Sequence, residues 1–334
     1  MLSFLVNLTS MGIPENVQKA MEESLKDVFD YPDSSKQNLA NGIAKRYKVD
    51  VNRICVGNGA SDVIFRSIFA LRPKKALVLA PMFGEYVRAL NCVDAEIDYY
   101  NVNHEDFKVR DDIMDQITEE TDMVCVCNPN NPTGTIMPKE QVLRLAEHCQ
   151  KMDCWFVLDE CFLEFVENGD DYSVMDALGN YDKLLITKSF TKMYGIAGLR
   201  LGYVLCGKEG LAAKIDQYGC DWNVNRVAEA AGLAALEAIE YEERVLAHTT
   251  KERQWMQEQL RNYGFRVMDS VANFLFFEAE PGGRMNLGKW LLERDIEICP
   301  CDKYRNASED YYRVAINTHE NNVRLIEAIG GWLK

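Results

Sequence analysis

The chain has 334 residues, 47% hydrophobic and 27% charged, and a formal net charge of −15. This is the composition of a globular protein of roughly two domains at about 150 residues each. The acidic balance excludes nucleic acid and anionic membrane as main partners, and no apolar run approaches the ~20 residues that span a bilayer.

Residues 1–30 read as an arm followed by an amphipathic helix. Pro14 opens the helix, and Val17, Met21, Leu25 and Val28 recur at helical spacing until Tyr31-Pro32-Asp33 breaks it. No signal peptide is expected, because the opening stretch lacks a basic region leading into a long apolar run. A helix at 37–47 leads to a strand at 53–56, the turn Gly57-Asn58-Gly59-Ala60-Ser61, and an apolar helix at 63–71. Strands then fall at 76–80, 96–100, 123–127, 155–159, 184–187 and 201–205, with helices at 84–91, 111–117 and 138–151. Strands alternating with helices predict a largely parallel sheet covered on both faces, with its ligand at the carboxyl ends of the strands. After residue 216 the pattern turns helical, at 225–239 and 242–262, with Gly264 ending the second helix. Strands at 265–268, 274–278, 296–299 and 312–316 and a closing helix suggest a small α+β unit. No repeat or low-complexity segment is present.

The eleven cysteines are odd in number and scattered. Cys125 and Cys127 alternate in MVCVCN as small buried hydrophobes do, and Cys299 and Cys301 bracket Pro300 with no second pair at zinc spacing. Reduced thiols in a cytoplasmic protein, without structural metal, are the expectation.

The most informative stretch is 184–205, LLITKSFTKMYGIAGLRLGYVL. Two strand-like runs flank a loop with Ser189, Thr191, Lys192, two glycines and Arg200. The lysine amine can form an imine with an aldehyde, while Ser189 and Arg200 can hold a phosphate. Pyridoxal 5'-phosphate needs both. A lone lysine on such a loop would read as an exposed side chain; the arrangement S-x-T-K-x-Y-G-x-A-G-L-R-L-G-Y is far more specific. It resembles the lysine motif of fold-type I pyridoxal-phosphate enzymes, in the group of histidinol-phosphate aminotransferase and threonine-phosphate decarboxylase. The resemblance runs from Asn7 to the final helix. It implies a transferase-like α/β fold, a mostly parallel central sheet sandwiched by helices, with a small α+β domain. The large cofactor-binding domain would span 30–220, and the small domain 1–29 plus 221–334.

Asp159 ends the apolar strand CWFVLD, where a carboxylate is costly unless paired. Beside the pyridine nitrogen it would keep that nitrogen protonated; otherwise it caps the next turn. Asn131 lies in NPNNPTG, whose prolines and Gly134 turn chemistry alone explains; the family counterpart of Asn131 donates to the ring's phenolic oxygen. Gly59, Ala60 and Ser61 open a helix after a strand, which is either an anion site for the cofactor phosphate or a plain turn. Phe83 in PMFGEY matches the aromatic that stacks on the ring, with Tyr86 in reserve. Tyr31 matches the tyrosine that reaches the phosphate of a neighbouring subunit's cofactor, implying a homodimer with shared sites. Arg313, a strand arginine in YYRVAIN, needs an anion, and the family's equivalent grips the substrate α-carboxylate. Asn7 and Gly12 match the arm lining the substrate.

Two departures stand out. The family's aminotransferases usually carry tyrosine at the cofactor position held by Phe162, so a hydroxyl donor to the ring oxygen is missing. Where many relatives have an arginine that helps bind the substrate's phosphate, this chain has Ile298-Cys299-Pro300-Cys301, with Lys303 and Arg305 the candidate substitutes. The resemblance implies an aminotransferase working between a small amino acid or amine and a 2-oxo acid, through an internal aldimine on Lys192. An α-decarboxylase of the threonine-phosphate type is the nearest alternative. A non-catalytic sensor on the same fold is an alternative of another class, against which the intact set of Lys192, Asp159, Asn131 and Arg313 argues.

Overall fold

Short apolar runs punctuated by Gly, Pro and Asn build the strands. The computed structural model describes residues 1–280 and 282–334. In chain order the strands are β1 (Leu2–Ser3), β2 (Ile54–Gly57), β3 (Lys75–Ala80), β4 (Glu96–Asn101), β5 (Met123–Cys127), β6 (Trp155–Asp159), β7 (Leu184–Ser189), β8 (Gly202–Cys206), β9 (Arg266–Val267), β10 (Phe274–Glu278), β11 (Ile296–Glu297), β12 (Cys299–Pro300) and β13 (Tyr311–Ala315). The helices are α1 (Glu15–Ser24), α2 (Gln37–Tyr47), α3 (Ala60–Leu71), α4 (Glu85–Asn91), α5 (Lys139–Lys151), α6 (Leu211–Asp216), α7 (Arg226–Ala235), α8 (Ile239–Asn262), α9 (Leu287–Leu292) and α10 (His319–Trp332).

Seven strands form the main sheet in the order β2-β8-β7-β6-β5-β3-β4, with β8 antiparallel to both neighbours and the other pairings parallel. Every residue of β5, β7 and β8 is buried, as a sheet covered on both faces requires. This is the α/β architecture expected, and it aligns the carboxyl ends of β5, β6 and β7. Cys127, Asp159 and Thr187 are neighbours across that edge.

A four-stranded antiparallel sheet, β12-β13-β10-β9, packs under α8 and α10 with a separate core that includes Met256, Leu260, Phe277, Val314 and Trp332. Phe4 is fully buried in this core, and β1 pairs with β11. The start of the chain is therefore pinned to the smaller sheet, the Phe4 carbonyl accepting from Ala315 N at 3.0 Å.

The first helix differs from its periodicity. It ends at Ser24 and passes into a 3-10 turn, and Leu25 and Val28 are exposed together with Phe29, at 96% exposure, and Tyr31. An apolar stripe extends one turn beyond the part that this chain's own core covers.

Beneath the sheet edge lies a buried ion cluster that spacing did not announce. Lys188 Nζ stands 2.9 Å from Glu164 Oε1 and 3.6 Å from Glu160 Oε2, with Lys188 and Glu160 almost wholly buried. Burial pushes the Glu160 carboxyl up, opposed by Lys188 and the Ser173 hydroxyl. Lys188→Ala leaves Glu160 buried without its cation, an expected loss of about 3–5 kcal/mol in urea denaturation. In that variant the folded-state pKa of Glu160 lies above its unfolded value. Loss of the cation raises it further than in the parent, so the deficit vanishes below the parent's folded-state pKa, itself above the usual carboxylate value, and grows as pH rises from there through the variant's.

Candidate active site

The turns that follow the carboxyl ends of β5, β6 and β7 carry most of the chemistry-bearing residues. They meet the amino end of α3 around a cleft of about 510 Å³. Ala60, Ser61, Phe83 and Asn131 line it on one side, and Asp159, Phe162, Ser189, Lys192 and Arg200 on the other, with Cys127, Cys161 and Thr191 between them. Residues far apart in the chain thus share one cavity.

Asp159 is 5% exposed and makes no ion pair among the described residues. Its Oδ2 accepts from the Tyr86 hydroxyl at 2.9 Å and its Oδ1 from Cys161 N at 2.9 Å. Two neutral donors satisfy the carboxylate without neutralising it.

Lys192 is half-buried, its Nζ 5.9 Å from the centre of the Phe162 ring. Burial first, then Arg200 and Arg313, push its ammonium below the usual lysine range, opposed by Cys161 and Asp159. A less basic amine is a better nucleophile at neutral pH.

The anion end is built on close backbone approach. Gly59 precedes α3 with φ +91°, and a Cβ there would fall 2.7 Å from Arg200 Nη2. A Cβ at Gly202 would fall 2.5 Å from Ala60 N, so both glycines let Arg200 and β8 press against the helix start. The first amides of a helix lack intrahelical acceptors. Arg200 makes no ion pair among the described residues, and the Ser189 hydroxyl lies at the same end.

Arg313 stands at the other end, 7% exposed and again without an ion pair among the described residues. Its Nη1 donates to Asn131 Oδ1 at 2.6 Å and to the Tyr304 hydroxyl at 3.3 Å, its Nη2 to the Leu5 carbonyl at 2.8 Å, and its Nε has no partner.

The aminotransferase class I and II family model matches residues 2–329. The chain belongs to this family. It is 32% identical over 327 residues to a putative threonine-phosphate decarboxylase of Caldanaerobacter subterraneus subsp. tengcongensis, covering 97% of this chain and 88% of the relative. It is 31% identical over 326 residues to histidinol-phosphate aminotransferase 2 of Carboxydothermus hydrogenoformans, covering 95% and 87%. The crystal structure of the histidinol-phosphate aminotransferase from Clostridium acetobutylicum superposes with a TM-score of 0.93 at 28% identity, covering 100% and 99%.

As a class I and II aminotransferase-family protein, the chain has pyridoxal 5'-phosphate as its cofactor. The residues present fit it. One end of the cleft holds an unpaired guanidinium, a hydroxyl and a helix start for the phosphate; the middle holds an unneutralised carboxylate for the pyridinium and an amine for the aldehyde.

Several family-matched residues stand apart from the cleft. Asn7 is buried with its Oδ1 unpartnered, and its carbonyl accepts from Asn273 Nδ2 at 3.0 Å. Gly12, with φ +76°, lies against Gly195 of the lysine loop, where Thr9 N also donates to the Lys192 carbonyl at 3.1 Å. Neither lines the cleft. Tyr31 is 75% exposed, with its ring 4.6 Å from that of Trp222. Lys303 and Arg305 line a separate crevice with Met82 and Gly84, and the Arg305 guanidinium lies 4.0 Å from the Tyr99 ring centre. Phe162 packs edge-on against Phe274, their ring centres 5.1 Å apart.

Tyr86, the reserve stacking aromatic, does something else: it is fully buried and its hydroxyl holds Asp159, while Phe83, half-buried, faces the cleft. Its place three residues after Phe83, in the first turn of α4, was the available clue. Tyr304 and the Leu5 carbonyl had no such signal; only the folded chain brings them to Arg313.

Tyr86→Phe removes a hydrogen bond to a charged group, expected to weaken pyridoxal-phosphate affinity by roughly 1.5 kcal/mol, about tenfold. Equilibrium dialysis measures this, with far-UV circular dichroism unchanged. Equal affinity in the two proteins would remove Tyr86 from the cofactor's support.

Proposed function

We propose that this protein is an aminotransferase that moves an amino group between a small amino acid or amine and a 2-oxo acid. Arg313 is the observation that carries the reading. It is a buried cation with neutral partners, and a substrate carboxylate is the anion that would offset its burial. Its planar fork suits bidentate binding of a carboxylate.

Pyridoxal phosphate, when bound, supplies an aldehyde for amine exchange and a ring that draws electrons away from the substrate Cα. Arg200, Ser189 and the α3 amides at Ala60 and Ser61 hold its phosphate, and Phe83 covers one ring face. Asp159, braced by Tyr86, keeps the ring nitrogen protonated. Asn131 gives its Oδ1 to Arg313, which leaves its Nδ2 to donate to the ring oxygen and couples the cofactor pocket to the carboxylate site. The Lys192 amine moves the proton between substrate Cα and the carbon that bore the aldehyde.

Arg313 supports transfer over decarboxylation in this reading. It would hold the substrate carboxylate in place, while the Lys192 amine would take the proton from Cα. Directly across the strand pair from Arg313 is Cys299, so that position offers no second arginine to the substrate. The second reading, an α-decarboxylase, draws on the threonine-phosphate decarboxylase relative.

Product analysis with a panel of amino acids separates them: a keto acid in step with amino-group transfer, and no carbon dioxide, is the expected result. Stoichiometric carbon dioxide without keto acid overturns the reading. Arg313→Lys is expected to raise KM for carboxylate substrates roughly 10- to 150-fold, a loss of about 1.5–3 kcal/mol.

The reading includes a homodimer with shared sites. Leu25, Val28, Phe29, Tyr31 and Trp222 expose apolar surface, and a second copy would cover it and bring Tyr31 to the neighbouring phosphate. Lys192→Ala chains mixed with Tyr31→Phe chains are expected to give heterodimers in which one site carries both defects and the other neither. Recovered activity in the mixture is the expected sign. Full activity of the wild-type protein as a dilute monomer overturns the sharing.

A further inference from the structure

Cys299 and Arg313 are direct partners on β12 and β13, so their side chains share one face of the smaller sheet. That face looks toward the substrate end, since Arg313 reaches Asn131 of the cleft wall. Arg313 is 93% buried, lacks a carboxylate partner among the described residues, and has an unpartnered Nε. It therefore awaits an anion, and Cys299, half-exposed, is the nucleophile beside it. Tyr304 and Cys301 close the cluster: the tyrosine hydroxyl accepts from Arg313, and Cys301 is buried.

We infer that Cys299 and Arg313 together form a modification site for small electrophilic carboxylates such as 2-halo acids, Arg313 anchoring the carboxylate and Cys299 Sγ attacking the adjacent carbon. This rests on the reading of Arg313 as a carboxylate anchor. The thiolate sulfur forms a bond to carbon, the carbon–halogen bond breaks, and the halide leaves with the electron pair; the thiol proton has already gone to solvent. The adduct carries its own carboxylate beside Arg313 and so blocks the substrate subsite. The neighbouring Cys301 side chain and then Arg313 hold the Cys299 thiol down at about 6, against the opposing effects of burial and Asp302. The nucleophilic form is thus present near neutral pH.

Eight of the eleven cysteines are buried, which leaves Cys92 and Cys220, both exposed, as internal references. The pyridoxal-phosphate-loaded protein is treated in parallel with iodoacetate and with the uncharged iodoacetamide, and labelling is read by peptide mass spectrometry. The iodoacetate-to-iodoacetamide rate ratio at Cys299 is expected to exceed that at Cys92 and Cys220 on the order of tenfold. Excess acetate should slow Cys299 alone, and Cys299→Ser should lose the assigned peptide mass. Labelling should level off above about pH 7, whereas ordinary thiols keep accelerating toward ~8.5.

Cys299 left unlabelled after Cys92 and Cys220 have reacted, or a ratio equal to theirs, overturns the inference. If Arg313→Lys weakens carboxylate substrates while Cys299 shows no charge preference, the inference fails and the Arg313 reading stands. If Arg313→Lys binds carboxylate substrates as well as the parent does, the underlying reading fails instead.

Discussion

Two opposite charges, Asp159 and Arg313, are both buried, and neither forms an ion pair among the described residues. Left to itself, a folded chain would pair them, because an uncompensated buried ion costs several kcal/mol. Neutral groups intervene instead: Tyr86 and a backbone amide on the carboxylate, and Asn131, Tyr304 and the Leu5 carbonyl on the guanidinium. Each charge is solvated by protein dipoles and stays free for an external partner. In the proposed function a cationic ring nitrogen would answer the first and an anionic substrate the second.

Holding that arrangement takes rigidity from both sheets. The register of β5, β6 and β7 sets Asp159 beside Cys127 and Thr187, and full burial of β5 and β7 leaves these strands little room to shift. The Lys188–Glu160–Glu164 cluster ties β7 to the segment after β6 one residue away from Asp159 on one strand and Ser189 on the other. Arg313 belongs to the smaller sheet, and Phe4, locked into that sheet's core, aims the Leu5 carbonyl at it. The Asn131–Arg313 hydrogen bond joins a residue of the smaller sheet to the turn after β5 at the cleft.

The end of the cleft at Arg313 is spare in charge. Arg313 is its cation, Cys299 faces it across the strand pair, and aromatic side chains, Phe83 and Phe162 with Phe274 behind, make up much of the surroundings. Lys303 and Arg305 belong to a neighbouring crevice.

What the sequence determined is what is local. Alternating strand and helix patterns set the parallel sheet, and the short stretch from Ser189 to Arg200 carries its own spacing between two strand ends. The lysine, hydroxyl and arginine that line the cleft were therefore legible before folding, as were Asp159 at the end of β6 and Asn131 in the turn after β5. The tertiary structure decided the rest. Tyr86 bracing Asp159, Leu5 and Tyr304 holding Arg313, and Cys299 set opposite Arg313 join residues separated by up to 308 positions or by a strand register that no periodicity encodes. Leu25 and Val28 make the same point from the other side. A periodic apolar stripe records that a face avoids water, and only the packed chain shows that its own core leaves this part uncovered. Spacing carries short-range geometry, while burial and pairing depend on which distant surfaces meet.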